Sequence, residues 1–453
     1  MKPIQVGLLG IGTVGSGVFQ VLRRNEEEIR RRAGRGIAIT MVADLDVERA
    51  RAVVGADVQV VNDARAVIAN PDIDIVIELI GGYGIAKALV LEAIAAGKHV
   101  VTANKALLAV HGTEIFAAAS AKGVMVAFEA AVAGGIPIIK ALREGLTANR
   151  IQWIAGIING TTNFILSEMR DKGLDFDVVL KEAQRLGYAE ADPTFDIEGV
   201  DAAHKATIMS AIAFGIPVQF DKAYVEGITK LGAADIKYAE QLGYRIKLLG
   251  ITKRAERFDA NGKAVGGVEL RVHPSLVPSK RLIANVEGAM NAVVVQGDAV
   301  GTTLYYGKGA GSEPTASAVI ADLVDIARLH TADPEHRVPH LAFQPHTLTD
   351  AMDALPVLPM SEVVTSYYLR LRVADQAGVL AKVTGILAGA GISIDAVLQR
   401  EADEVGGEGS TQTDLIILTH DTREGTMNDA IAQMQALPTV LAPITRIRKE
   451  ELN

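Results

Sequence analysis

Along the first 130 residues the apolar positions follow two alternating rhythms. Short runs rich in valine and isoleucine, "IQVGLLG", "GIAITMVAD", "DIDIVIELI", "HVVTA" and "VMVAFEA", are separated by stretches of helical spacing such as "AKALVLEAIAAGK" and "KALLAVHGTEIFAAASAKG". Runs that are apolar at nearly every position suit strands buried on both faces, and their alternation with helices predicts a parallel sheet wrapped by helices. From about residue 135 the order changes. Helices over 177–186 and 200–214 mix with strands near "RIQWIAGII", "RIKLLGIT" and "AVGGVELRVHP", which predicts an α+β unit around a second sheet. Residues 331–360 are rich in proline and histidine with weak periodicity and read as a connector. Beyond it, "YYLRLRVADQAGVLAKVTGILAGAGISI" runs strand, turn at 375–378, helix, strand; "TDLIILTH", "MNDAIAQMQAL" and "VLAPITRI" continue as strand, helix, strand. That order is a ferredoxin-like βαββαβ module, with the acidic, glycine-rich "READEVGGEGST" as a mobile hairpin loop between its middle strands. The fold class is therefore α/β: a doubly wound parallel-sheet domain at 1–134, a central α+β domain at 135–340, a linker at 341–365 and the small module at 366–453.

Length agrees with several domains, since 453 residues exceed the roughly 250 to 300 at which single cores stop growing. With 49% apolar and 22% charged residues, the chain has the composition of a compact protein rather than a disordered one. A formal net charge of −9 argues against nucleic acid as the main partner. The run "RRNEEEIRRRAGR" interleaves its arginines with Glu26, Glu27 and Glu28 at helical spacing, which predicts a salt-bridged, solvated helix face. The absence of cysteine removes disulfides, thiolate nucleophiles and cysteine metal sites together. Lys2 followed by an apolar run imitates a signal peptide, but the glycines there suit a nucleotide turn and no small-residue cleavage site follows. The most apolar later stretch, 124–142, carries Glu129, Gly134, Gly135 and Pro137, which a lipid-exposed helix does not tolerate. A soluble, cytoplasmic chain with no membrane partner is expected.

Chemistry enters with "GLLGIGTVGSG". Gly10, Gly12 and Gly15 form G-x-G-x-x-G after a predicted strand and at the start of a helix. The first glycine allows the tight turn, the second lets backbone N–H groups approach a pyrophosphate, and the third packs helix on strand. Gly10, Gly12, Thr13, Val14 and Gly15 are thus candidate cofactor contacts. The second strand ends in "VADLD", where Asp44 can bond the adenosine ribose, although it lies further from Gly15 than the usual twenty or so residues. An acid at that position favours NAD, while Arg49 and Arg51 suit the 2′-phosphate of NADP; both cofactors remain compatible. "ELIGG" and "TANK" fall where the fourth and fifth strands end, at the ligand-binding edge of such sheets. Lys105 opens the following helix, where the macrodipole disfavours a cation, so another partner such as a ligand carboxylate or phosphate is expected.

The second concentration of chemistry is "LGYAEADPTFDIEGVDAAHK", where Glu190, Asp192, Asp196, Glu198 and Asp201 lead to one lysine at the edge of an apolar helix. Asp201 and Lys205 are spaced i, i+4 and share a helix face, whereas His204 points elsewhere and reads as a packing or hydrogen-bonding residue rather than a metal ligand. A carbonyl reduced by hydride needs a proton delivered to its developing alkoxide, and a partly desolvated lysine tuned by a carboxylate suits that task. The acids can also hold an amino group. A substrate bearing both an ammonium and an aldehyde or alcohol fits the cluster.

With these motifs in place, the chain resembles homoserine dehydrogenases. The stretch "AQRLGYAEADPTFDIEGVDAAHK" is similar to the family signature throughout, and the likeness extends over "GKHVVTANKALLA", "FEAAVAGGIPIIKALREGL", "GIINGTTNFIL" and "GKGAGSEPTASAVIADL", nearly the whole chain. The resemblance implies NAD(P)H-dependent interconversion of L-aspartate 4-semialdehyde and L-homoserine on the route to threonine, methionine and isoleucine. It further implies a Rossmann-like first domain and a central domain that is both catalytic and dimerising, in a homodimer or homotetramer. Lys205 would be the acid/base, Asp201 and Glu190 would hold or tune the substrate, and Lys105 would lie between substrate and nicotinamide. Gly187 and Gly311 would contact the cofactor. Glu129 with the carbonyls of Val132, Gly134 and Ile136 would surround a monovalent cation, sodium. The last module resembles an ACT domain, an amino-acid sensor in which threonine is the expected effector; Ala377 in its "DQAGVL" turn stands where many relatives have proline. The competing reading is a catalytically silent, nucleotide-binding amino-acid sensor.

Overall fold

The computed structural model describes residues 2–255, 266–330, 355–401 and 411–453. Most of the hairpin loop predicted at 400–411 and most of the linker predicted at 341–365 lie outside them. Strands β1 (Ile4–Leu9), β2 (Ile37–Ala43), β3 (Gln59–Val61), β4 (Ile75–Glu78), β5 (His99–Thr102) and β6 (Val126–Ala127) form one sheet in the order β3-β2-β1-β4-β5-β6. Every pairing in it is parallel. β4 and β5 are buried at all positions, Glu78, His99 and Thr102 included, as strands covered on both faces must be. The strand order reverses between β1 and β4, and in doubly wound sheets a ligand crevice opens there at the carboxyl ends.

Between β1 and β2 the chain makes two helices, Thr13–Arg24 and Glu26–Ala33, broken at Asn25. The second accounts for the long spacing from Gly15 to Asp44. It is also the solvated charged face expected from its sequence: Arg31 and Arg32 reach Glu28 at 2.7 and 3.3 Å, while Ile29 and Ala33 turn inward. Chain order puts the helix Ser312–Leu329 in the central domain, but packing puts it in the first. Its Ala316, Val319 and Leu323 join one core with Val6, Leu8 and Val18. The approach depends on Gly17, where a Cβ would lie 2.4 Å from Ser312 Oγ.

The remaining strands are β7 (Ile151–Ile157), β8 (Tyr224–Val225), β9 (Tyr244–Ala255), β10 (Gly267–Pro278), β11 (Met290–Gly297), β12 (Gly301–Lys308), β13 (Val364–Ala374), β14 (Ile394–Gln399), β15 (Gln412–Thr419), β16 (Thr422–Arg423) and β17 (Thr445–Lys449). The C-terminal module has the ferredoxin-like order β17-β13-β15-β14. Its sheet is not separate, however. β17 runs parallel to β10, with Ser275 opposite Arg448 and Leu276 opposite Lys449, so the two sheets form one of eleven strands. Each strand covers what would otherwise be the other's bare edge. The two-residue strands β8 and β16 are too short to leave a periodic signal in the sequence.

The helix Val200–Phe214 is buried along nearly its whole length, as a helix apolar on all sides must be. It lies close to β9, where a Cβ on Gly250 would come within 3.3 Å of Ala206 Cβ. Lys205 therefore sits in the middle of a core helix rather than at its edge, with only 9% of its surface exposed. Among the described residues no helix is long and apolar enough to cross a membrane.

Candidate active site

The glycine turn divides its labour by position. Gly10 has φ +91°, and its N–H bonds the Ala43 carbonyl at 2.9 Å, closing the tight turn after β1. A Cβ on Gly15 would lie 2.3 Å from the Gly10 oxygen, so this glycine permits helix and strand to meet. Gly12, at the helix N-cap, faces open space, and no side chain caps the first-turn amides of Thr13 and Val14. Unused N–H groups at a helix N-terminus are an anion site. Asp44 stands beside them: its Oδ2 accepts from Ile11 N at 2.8 Å and its Oδ1 from Asp46 N at 2.9 Å. Ser312 donates to the Thr13 carbonyl at 2.7 Å, which brings Gly311 against the same turn. Arg51 is engaged with Glu48 at 3.1 Å.

At the ends of β4 and β5 a buried network fixes Lys105. Thr102 Oγ1 donates to Glu78 at 2.7 Å and accepts from Asn104 N at 3.0 Å; Glu78 also accepts from Ile80 N and Gly81 N. Asn104 caps the helix Lys105–Lys122 through Leu107 N at 3.1 Å and ties it to the Gly82 carbonyl at 2.8 Å. The partner that the position of Lys105 called for is a protein group. Its Nζ lies 3.0 Å from Asp201 Oδ1.

Asp201 is thus held between two lysines, because Lys205 Nζ lies 2.7 Å from its other oxygen. Lys205 also donates to the Ile158 carbonyl at 2.7 Å. An ammonium has three protons to donate, and among the described residues Lys205 has only these two acceptors. Asn159 completes the cluster: Nδ2 donates to Asp201 at 2.9 Å and to Asp196 at 2.7 Å, while Oδ1 caps the helix Gly160–Lys172 through Thr162 N. Burial works to raise the Asp201 carboxyl, but the ammoniums of Lys205 and Lys105, with the bonds from Lys205 and Asn159, hold it well below the usual carboxylate range. Lys205 is lowered, because burial outweighs the support of Asp201 and Lys105 repels its charge. Lys105 is raised: burial lowers it, but Asp201 does more, with Asp196 and Glu190 adding their fields. One lysine is held as a firm cation and the other is brought nearer to neutrality.

The acidic segment does not converge as a whole. Asp196 is half-buried and raised by burial and by the charge of Asp201. Glu190 is exposed; its backbone carbonyl accepts from Gln184 at 3.1 Å, and its carboxylate reaches Lys105 only through its field. Gly187, with φ +80°, lies in the turn after the helix Phe176–Arg185, on the acidic side of the site, and the neighbouring Tyr188 is tied to Thr161 at 2.7 Å. His204 packs between Phe195 and Phe220, its ring nitrogens without a hydrogen-bond partner among the described residues, and burial lowers it to about 4. Asn159 and the Glu78–Thr102–Asn104 network carry no role in the sequence reading. Only their capping pattern, an asparagine ahead of a helical run, could have suggested them.

Glu129 is buried and accepts from Ile139 N and Lys140 N at 3.0 and 2.8 Å. Burial, then the neighbouring Asp322, raises its carboxyl to about 7. The segment after it is bent through Ala133 and Gly134 at φ +56° and +50°. Among the described residues the buried Val132 and Gly134 carbonyls receive no backbone hydrogen bond, whereas the Ile136 carbonyl accepts from Ile138 N at 2.7 Å. A buried carboxyl group, held toward its neutral form by burial and by Asp322 until a positive charge offsets them, fits a hard monovalent cation beside carbonyls that receive no backbone hydrogen bond. No group of three or more His, Asp or Glu side chains with metal-ligand geometry occurs among the described residues.

Comparison with known proteins covers the chain from end to end. A family model described as homoserine dehydrogenase matches residues 137–324, its NAD-binding domain matches 10–129, and an ACT domain matches 367–438. A homoserine dehydrogenase of Pseudomonas aeruginosa is 60% identical over 453 residues, all of both chains. The crystal structure of a homoserine dehydrogenase from Thiobacillus denitrificans is similar with TM-score 0.92 and 65% identity, over 100% of this chain and 99% of that one. A hyperthermophilic archaeal homoserine dehydrogenase in complex with NADPH matches with TM-score 0.60 and 26% identity, over 73% of this chain and 99% of its own.

Proposed function

The chain belongs to the homoserine dehydrogenase family, and on that premise we propose that Lys205 is the group that exchanges a proton with the substrate oxygen. The reaction converts L-aspartate 4-semialdehyde to L-homoserine by adding a hydride to the aldehyde carbon and a proton to its oxygen. Reduced NAD(P), when bound at the glycine turn, supplies the hydride. The observation that carries the role of Lys205 is its one unspent N–H on a buried, lowered ammonium. A donor whose pKa is moved toward the working pH transfers its proton more readily than an ordinary lysine. Asp201 has both oxygens on lysines, so it tunes and orients rather than binding the substrate ammonium. Lys105, a firm cation, is suited to the substrate carboxylate or the developing oxyanion. Glu190, supported by Asp196, is left to take the ammonium.

Gly10, Gly12, Thr13, Val14, Gly15 and Asp44 are proposed to hold the dinucleotide, with Lys105, Gly187 and Gly311 at its reactive end. Asp44 supports NAD; the complex of the archaeal relative with NADPH supports NADP. Oxidation of NADPH and NADH at matched concentrations with L-aspartate 4-semialdehyde decides between them. A rate ratio strongly favouring NADH assigns control to Asp44, and one favouring NADPH assigns it to Arg49 or Arg51. Glu129 with the carbonyls of Val132, Gly134 and Ile136 would hold a sodium ion and steady the bend between domains; equal activity in sodium and choline chloride would count against it. The C-terminal module is proposed to take an amino acid, threonine, in a cavity of about 300 Å³ lined by Asp375, Gln376, Ala377 and Gly378. Threonine that leaves activity and thermal unfolding unchanged would remove that assignment. A homodimer or homotetramer built on the central sheet, readable by sedimentation, and a cytoplasmic location with access to the nicotinamide pool, readable by cell fractionation, complete the proposal. The silent-sensor reading has no support in a chain 60% identical over its full length to a homoserine dehydrogenase.

A further inference from the structure

The short strand β8 and the residues after it touch both the C-terminal module and the acidic segment. On one side, Glu226 receives Arg448 NH1 at 2.9 Å and Tyr224 Oη at 2.8 Å. Arg448 lies on β17 with its side chain 1% exposed, bonds Glu424 through Nε at 2.9 Å, and stacks over the Tyr224 ring at 4.9 Å. On the other side the backbone takes over. Ile228 N donates to the Ile197 carbonyl at 2.8 Å, and a Cβ on Gly227 would lie 2.3 Å from the same oxygen and 2.5 Å from Glu198 Cα. Thr229 bonds Glu198 at 3.0 Å. Ile197 and Glu198 directly follow Asp196 and precede the helix that carries Asp201 and Lys205.

We propose that Glu226 is a positioning residue: clamped by Arg448 of the C-terminal module, it presses the Gly227–Ile228 backbone against Ile197–Glu198 and so sets the acidic segment that receives the substrate. A charge-assisted bond on one residue and a contact that only glycine permits on the next transmit position without slack. The clamp also lies in line with the effector turn, because β13 runs from that turn back to Tyr367, which pairs in register with Arg448 and donates to Glu424 at 2.8 Å. An amino acid bound at the turn would thus act on strands that hold the clamp.

The inference rests on the proposed role of the acidic segment in holding the substrate, and the test separates the two. Steady-state kinetics of the full chain are compared for Glu226→Gln, Arg448→Lys, the double variant and Glu190→Gln. Glu226→Gln and Arg448→Lys should each raise KM for L-aspartate 4-semialdehyde about fivefold or more, the lower end of coupling between sites, with kcat and the NADPH KM within about twofold. The double variant should be no worse than the poorer single one, because both break one link. A lowered Tm with unchanged KM in Glu226→Gln makes the residue merely structural and overturns the inference. If Glu190→Gln raises KM while Glu226→Gln does not, the clamp fails and the reading of the acidic segment stands. If neither raises it, that reading fails and the clamp with it. Should Arg448→Lys yield no soluble protein, Glu226→Gln decides on the same KM and kcat split.

Discussion

Lys205 has three protons to give and, among the described residues, two acceptors, Asp201 and the Ile158 carbonyl. Aldehyde reduction consumes its proton, so the rate should be full while Lys205 is charged and fall as pH rises through its lowered pKa. Homoserine oxidation needs the neutral amine and should rise over the same interval. Both limbs should lie below the ordinary lysine value of about 10.4. Asp201→Asn removes the charge that favours the ammonium and leaves Lys105 to repel it, so the limbs should move to still lower pH; pH–rate profiles in both directions read this, and an alkaline displacement would contradict the assignment. The i, i+4 spacing of Asp201 and Lys205 was legible in the sequence. Asn159 was not, because it meets Asp201 across 42 positions of chain, and neither was the engagement of Lys105 by Asp201 rather than by a ligand alone.

Among elements, the glycine turn shows how position separates folding from binding. Gly15→Ala forces a methyl group against the Gly10 oxygen and should destabilise the protein by about 1–3 kcal/mol through overpacking. Gly12→Ala meets no protein atom; it should leave thermal unfolding unchanged while weakening NADPH binding where the pyrophosphate approaches. Calorimetry and cofactor titration of both variants check the contrast, and an equal fall in Tm would contradict it. The strand and helix rhythm of the first domain and the βαββαβ order of the last module were readable because each element is long and periodic. The helix Ser312–Leu329 falls with the central domain in chain order yet packs in the core of the first, and periodicity does not show this, since it says that a helix buries a face but not which sheet receives it.

Across the whole molecule, the continuous sheet is what the sequence concealed. A strand pattern defines which face is buried, but it carries no mark of the neighbour at its edge, so the β10–β17 pairing could not be read. The junction holds buried charge as well: Arg271 is paired with Glu269 at 2.9 Å and with Glu450 beyond β17. Ending the chain at residue 330 should therefore leave a bare β10 edge and a buried arginine stripped of one of its two carboxylate partners, and give an aggregating protein rather than an unregulated enzyme. Light scattering of the truncated chain checks this; a monodisperse, active product would contradict it.

The most direct test of the account is the turnover of Lys205→Ala with L-aspartate 4-semialdehyde, alongside NADPH binding by fluorescence. Loss of the proton donor should lower kcat by about 10² to 10⁴ while leaving NADPH affinity intact. Turnover near that of the unaltered protein, in a variant that still binds NADPH, would remove Lys205 from the chemistry.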